Sequence, residues 1–118
     1  MLLCAPSAIG FSQDTISRVF RNKESVNGAI DRIFSKQLAV EDFPAVSVVW
    51  KDSKFYSIDN RRLYVFRVLQ VEGVVSEIPI RLIGYDHRSH ARKFTTKNKG
   101  MSVMVRGGVT FQHVISRR

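Results

Sequence analysis

Asp59-Asn60-Arg61-Arg62 is the tetrapeptide in this chain whose residue types and spacing best suit chemistry. A polar step after an apolar run, followed by Leu63, Phe66 and Leu69 with Val65 and Val68 beside them, predicts a strand ending at Ile58 and a helix starting at once. Asp59 or Asn60 supplies the N-cap, and Gly73 stands where a C-terminal glycine belongs. A helix N-terminus presents unpaired N–H groups and the positive end of the macrodipole, so it attracts phosphate. Two arginines in the first turn oppose that dipole, and a phosphate between them reverses the cost through bidentate bonds. The plainer reading is that Arg61 and Arg62 pair with Asp59 or Asp42.

A second run, KFTTKNKG from Lys93 to Gly100, leads into SVMVRGG. Lys93, Lys97 and Lys99 supply charge, Thr95, Thr96 and Asn98 supply hydroxyl and amide groups, and Gly100 permits close backbone approach. Such a loop can clamp a phosphate backbone, or it can be an ordinary solvated loop. It is not a Walker loop, because GxxxxGK[ST] is missing. His87 and His90 beside Asp86 are too few for a metal site, and the surrounding positive charge disfavours a cation. One of them as a general base is the alternative, while His113 reads as structural. Cys4 lies near a terminus expected to fray and has no activating partner. Trp50, Phe55, Tyr56 and Tyr64 can stack on bases, although residues placed like Trp50 and Phe55 more often pack a hairpin.

The elements that must position these groups follow from periodicity. Gln13 to Phe20 reads as a short helix with Ser12 as N-cap, from the spacing of Ile16, Val19 and Phe20. Ser25 caps a second helix over Val26 to Leu38. Val46, Val48 and Trp50 alternate in a strand after Pro44, Lys51 to Lys54 turns, and Phe55 to Ile58 completes a hairpin. Ile78, Ile80 and Leu82 alternate in a third strand. Tyr85 to Gly100 reads as a long basic loop. Met101 to Arg106 and Val109 to Ile115 read as strands around a Gly107-Gly108 turn. The expected class is α+β, a small mixed sheet with helices packed on it.

Composition bounds the rest. The chain has 118 residues, 44% of them hydrophobic, which is enough for one domain with its own core. A single cysteine excludes a disulfide framework. No apolar run reaches the roughly 20 residues of a membrane helix. MLLCAPSAIG lacks a basic leader region, so no signal peptide is read, and an intracellular location, cytoplasm or nucleus, is expected. Residues 1–10 are set apart as an N-terminal extension to a domain over 11–118. The net charge of +9 is lopsided: residues 1–80 carry ten Lys/Arg against nine Asp/Glu, and residues 81–118 carry nine against Asp86 alone. Such asymmetry points to a polyanionic partner: nucleic acid, a nucleotide or an anionic surface.

The run FPAVSVVWKDSKFYSIDNRRLYVFRVLQVEGVVSEIPIRLI resembles the core of the ParB/sulfiredoxin superfamily. Asp59-Asn60-Arg61-Arg62 falls where ParB-type domains carry a G-[EHN]-R-R box. With FSQDTIS ahead of it and KFTTKNKG and VRGG behind, the chain is most similar to ParB-like domains of bacterial polymorphic toxins, over Phe11 to Gly108. The resemblance implies a sulfiredoxin-like sheet and an RR box that binds phosphate, making Asn60, Arg61 and Arg62 phosphate ligands. Nucleic acid, DNA before RNA, or a nucleotide is then the partner, and ATP or CTP with Mg²⁺ the implied cofactor. As an enzyme it would be a nuclease or a phosphotransfer enzyme. Arg61 and Arg62 would stabilise charge, and Asp59 would be the acid or base, assisted by Lys97 or Arg106.

The chain also departs from the family. Sulfiredoxins place a reactive cysteine where Asn60 stands, so that reductase chemistry is not expected. Asp59 replaces the usual glycine of the box. The later nucleotide motif and the helix-turn-helix of partition proteins are missing, and no carboxylate cluster for two metals is visible. The fold alone does not settle the activity. The competing expectations are a non-catalytic nucleic-acid-binding module and a protein-interaction adaptor.

Overall fold

Val46 to Val49 are all buried, as a strand covered on both faces must be. This strand, β4 (Val46–Lys51), is central in a computed structural model that describes residues 2–106 and 113–115, the last three and Lys93 by backbone alone. Asp52 and Ser53, both with positive φ, turn β4 into β5 (Lys54–Ser57), the left-handed pair that a two-residue hairpin requires. The chain then enters α2 (Asn60–Val71) and returns as β6 (Ile78–Leu82), parallel to β4. β1 (Leu2–Cys4) pairs antiparallel with β6, and β2 (Ile9–Phe11) pairs parallel with β5.

Among the described residues this makes a mixed sheet in the order β1-β6-β4-β5-β2. Its two edges are joined by only Ala5 to Ala8, which include one 3-10 turn. Four inter-strand steps in a flat sheet span about 19 Å, as far as this link can stretch, before any stagger is counted. The sheet therefore curls. The stretch set apart in the sequence as an extension supplies β1 and the first two residues of β2.

A second, three-stranded sheet has the order β3-β7-β8, with β3 (Thr15–Ile16), β7 (Ser102–Val105) and β8 (His113–Ile115). Here the sequence expectation needs correction. Gln13 to Phe20 is not helical: Thr15 and Ile16 pair in parallel with Met104 and Val105. Eight residues at helical spacing do not outweigh a β-branched pair with a strand to join.

The helix capped by Ser25 forms as α1 (Val26–Phe34), with the Gly28 N–H donating to Ser25 Oγ at 2.8 Å. It ends before Leu38, since Lys36 takes a positive φ. Within the long basic loop lie α3 (His87–His90) and a 3-10 turn over Ala91–Lys93. The Gly107-Gly108 turn, residues 109–112, the side chain of His113, and Arg117 and Arg118 lie outside the described residues.

One core joins these parts. Leu63, Tyr64, Val65, Phe66 and Leu69 of α2 pack with Val26, Ala29, Ile30 and Ile33 of α1. They also meet Ile9, Phe11, Val46, Val48, Ile78 and Ile80 of the first sheet and Ile16, Val103 and Val105 of the second. α2 is buried around most of its circumference, so its helical stripe is broad, and each large apolar side chain there contributes about 1.5–3 kcal/mol. The other sheet face holds Val49 and Tyr56, which Phe94 covers with its ring 5.2 Å from that of Tyr56. Among the described residues no helix is long and apolar enough to cross a membrane.

Candidate anion-binding cleft

α2 begins with donors to spare. Its first intrahelical bond runs from the Leu63 N–H to the Asp59 carbonyl at 3.0 Å, after the N–H groups of Asn60, Arg61 and Arg62. Asp59 is the N-cap residue, yet its side chain makes no capping bond. Asp59 Oδ2 instead accepts from the Ser47 N–H at 2.7 Å and lies 3.5 Å from Arg62 Nη1. The carboxylate thus fastens the helix start to β4 and leaves the amide end open.

The two arginines diverge from there. Arg61 Nη1 donates to the Val19 carbonyl at 2.8 Å, and Arg62 Nη1 donates to the Ala45 carbonyl at 3.1 Å. One donor of each five-donor fork fixes its direction. Both side chains line a cleft of about 730 Å³ that Arg21 and Arg106 also line. Arg106 arrives because its N–H donates to the Ile16 carbonyl at 2.8 Å, continuing the β3–β7 pairing. Among the described residues, two lining acids stand against these four arginines, Asp59 and Glu24. Asp59 is held as above, and Glu24 Oε2 meets Arg32 Nη1 at 2.6 Å. The cleft therefore carries a positive excess beside a helix N-terminus, the electrostatics of an anion site.

Asn60 has another task. It is buried; its Oδ1 accepts from the Ser12 N–H and its Nδ2 donates to Ser12 Oγ, both at 2.9 Å. The Ser12 carbonyl in turn accepts from the N–H groups of Thr95 and Thr96. The amide of Asn60 thus joins the start of α2 to the C-terminal loop.

Among the described residues that loop does not line the cleft, and of the second run and its sequel only Arg106 joins Arg61 and Arg62. Thr95 Oγ1 donates to Asp14 Oδ1, Thr96 Oγ1 accepts from the Gly100 N–H, and Asn98 Nδ2 donates to Ser102 Oγ. These hydroxyl and amide groups fold the loop. Lys97 and Lys99 are exposed, and the Lys99 carbonyl accepts from Lys54 Nζ at 2.6 Å. The side chain of Lys93 lies outside what the structure describes.

Arg21, Phe20 and Phe43 line the cleft without having been marked as site residues. Phe20 was read only as part of a helical stripe, and Arg21 and Phe43 lie between the elements that periodicity picks out. The β3–β7 pairing that closes the cleft joins residues far apart in sequence.

The remaining candidates sit elsewhere. His90 is buried with Nδ1 accepting from the Asp86 N–H at 2.9 Å, a structural role within α3. The Ser89 hydroxyl and the Arg88 N–H hold the Asp86 carboxyl below its usual pKa. Cys4 of β1 pairs with Ile78 of β6, and burial, helped by Glu77, pushes its thiol pKa upward, away from a nucleophile. Tyr64 is fully buried, and Trp50 packs edge to face on Phe55 across the hairpin.

The donor set fits phosphate and not a resident metal. Among the described residues no group of three or more His, Cys, Asp or Glu could hold a metal ion. Both acids of the cleft are committed to N–H groups or arginines. No family model matches the chain, and neither does any curated protein or solved structure. The ParB/sulfiredoxin resemblance therefore rests on the sequence motifs, while the α+β class stands on the structure.

Proposed function

We propose that this protein is a phosphate-recognition domain for nucleic acid or nucleotides, with the cleft at the start of α2 as its anion site. One observation carries the reading: Arg21, Arg61, Arg62 and Arg106 line a single cleft beside the uncapped amide end of a buried helix. The ParB-like box in the sequence supports the same site and favours DNA. ATP or CTP would present the same phosphate chemistry.

Binding without turnover is the form the side chains support best. A general base must reach the proton it abstracts, and Asp59 Oδ2 is already engaged by the Ser47 N–H beside Arg62, where it holds the start of α2. The arginines can hold phosphate without a partner to activate a nucleophile.

The test is a binding and turnover screen with labelled DNA, RNA, ATP and CTP, with and without Mg²⁺, for wild type and Arg62→Ala. Wild type is expected to bind without cleaving or hydrolysing its ligand, and Arg62→Ala to bind about tenfold more weakly, the scale of one bidentate arginine contact. Equal binding by both proteins, or no binding by either, overturns the proposal. Turnover lost with Asp59→Asn would replace it with the nuclease or phosphotransfer reading.

A further inference from the structure

The cleft is not lined by charge alone. Phe20 and Phe43, both half-buried, form part of its wall, and their rings meet edge to face at 5.9 Å. Phe43 meets the buried ring of Phe66 in the same way at 5.4 Å, so the core holds the pair in place. The Arg61 guanidinium lies 5.9 Å from the Phe20 ring centroid. Ile16, Pro44 and Ile58 extend the apolar wall. An inorganic phosphate gains nothing from such a wall, whereas a nucleobase gains stacking and cation–π contacts beside the groups that hold its phosphate. A duplex keeps its bases paired and stacked, out of reach of these rings.

The charge beyond the cleft adds a second observation. Arg81, Arg88, Arg92, Lys97 and Lys99 belong to the basic third of the chain and do not line the cleft. Lys97 and Lys99 stand exposed on the loop bonded to Ser12, and Ser12 immediately precedes Gln13 of the cleft wall. A free mononucleotide leaves these lysines without a ligand. A strand leaving the cleft brings them further phosphates.

From these observations we infer that the site takes an unpaired nucleotide of a single-stranded nucleic acid. The base lies against Phe20 and Phe43, its phosphate meets Arg61, Arg62 and Arg106, and the next phosphates pass Lys97 and Lys99. This rests on phosphate recognition at the same arginines.

The test compares a labelled strand of about 12 nucleotides with the same strand made abasic and with its duplex. Each is titrated against wild type, Phe20→Leu and Arg61→Ala, with thermal melting to confirm that the variants are folded. Wild type is expected to bind the strand about tenfold more tightly than the abasic strand or the duplex. Phe20→Leu is expected to shrink the ratio of strand to abasic affinity toward one, and an unchanged ratio in the folded variant overturns base recognition at this wall. Arg61→Ala weakens all three. If wild type binds all three alike while Arg61→Ala still weakens them, base recognition falls and phosphate recognition stands. If Arg61→Ala changes nothing, both fall. The abasic comparison uses wild type alone and so holds even if a variant does not fold.

Discussion

Arg61, Arg62 and Arg67 belong to one helix and meet three different fates. Arg61 is steered by the Val19 carbonyl, and Arg62 by the Ala45 carbonyl and Asp59. The sequence offered pairing with Asp59 or Asp42 as the plain alternative to phosphate binding. The Asp59 pairing does form, and it orients Arg62 toward the cleft. Asn60 was legible as a polar residue at a helix start but not as the partner of Ser12, because a bond across 48 residues leaves no local trace.

Arg67 is buried at 3% exposure, with Nη1 3.4 Å from the Ile9 carbonyl, Nη2 without a partner among the described residues, and its guanidinium 5.3 Å from the Phe11 ring centroid. Burial pushes its pKa down. A buried cation so poorly matched costs more desolvation than it recovers. Arg67→Met is therefore expected to leave stability unchanged or raise it by about 1 kcal/mol, read as the urea midpoint. A lower midpoint would show that the guanidinium holds the fold together.

At the scale of elements, local signals served where local chemistry decides. α2 closes as the glycine position suggested: the Gly73 N–H donates to the Gln70 carbonyl, and the Val74 N–H to the Leu69 carbonyl, a Schellman pair with Gly73 at positive φ. The hairpin of β4 and β5 and the Ser25 cap of α1 were equally readable. The segment from Gln13 to Phe20 was not, since Ile16, Val19 and Phe20 mimic a helical stripe while the distant β7 decides the pairing. The edge strands β1 and β2 escaped for the same reason, each being three residues that pair far along the chain.

Gly100 ties the basic loop to β2. Its φ is +73°, its carbonyl accepts from the Phe11 N–H at 3.0 Å, and a Cβ there would stand 2.4 Å from the Phe11 carbonyl oxygen. Backbone cannot yield as a side-chain tip can. Gly100→Ala is expected to cost about 3 kcal/mol or more in unfolding free energy and to loosen the loop carrying Lys97 and Lys99. A loss under about 1 kcal/mol would mean that the loop detaches at little cost and is not fixed to β2.

Across the whole molecule, the net charge of +9 separates into parts. The sequence located the excess in the last third but not its division. Arg106 turns inward to the cleft with Arg21, Arg61 and Arg62, while Lys97 and Lys99 remain on a neighbouring loop whose polar groups are spent on its own fold. The cleft thus draws arginines from a nearly neutral first part and from the basic tail, and the second sheet brings Arg106 to it. The most direct measurement is the salt dependence of single-strand affinity for wild type and for Arg61→Ala/Arg62→Ala. The paired variant should bind more weakly at every salt concentration. Its plot of log affinity against log salt should also be shallower by about 1.4, roughly 0.7 for each lost phosphate contact on a single strand. Superimposable lines from two folded proteins would contradict phosphate recognition at the start of α2.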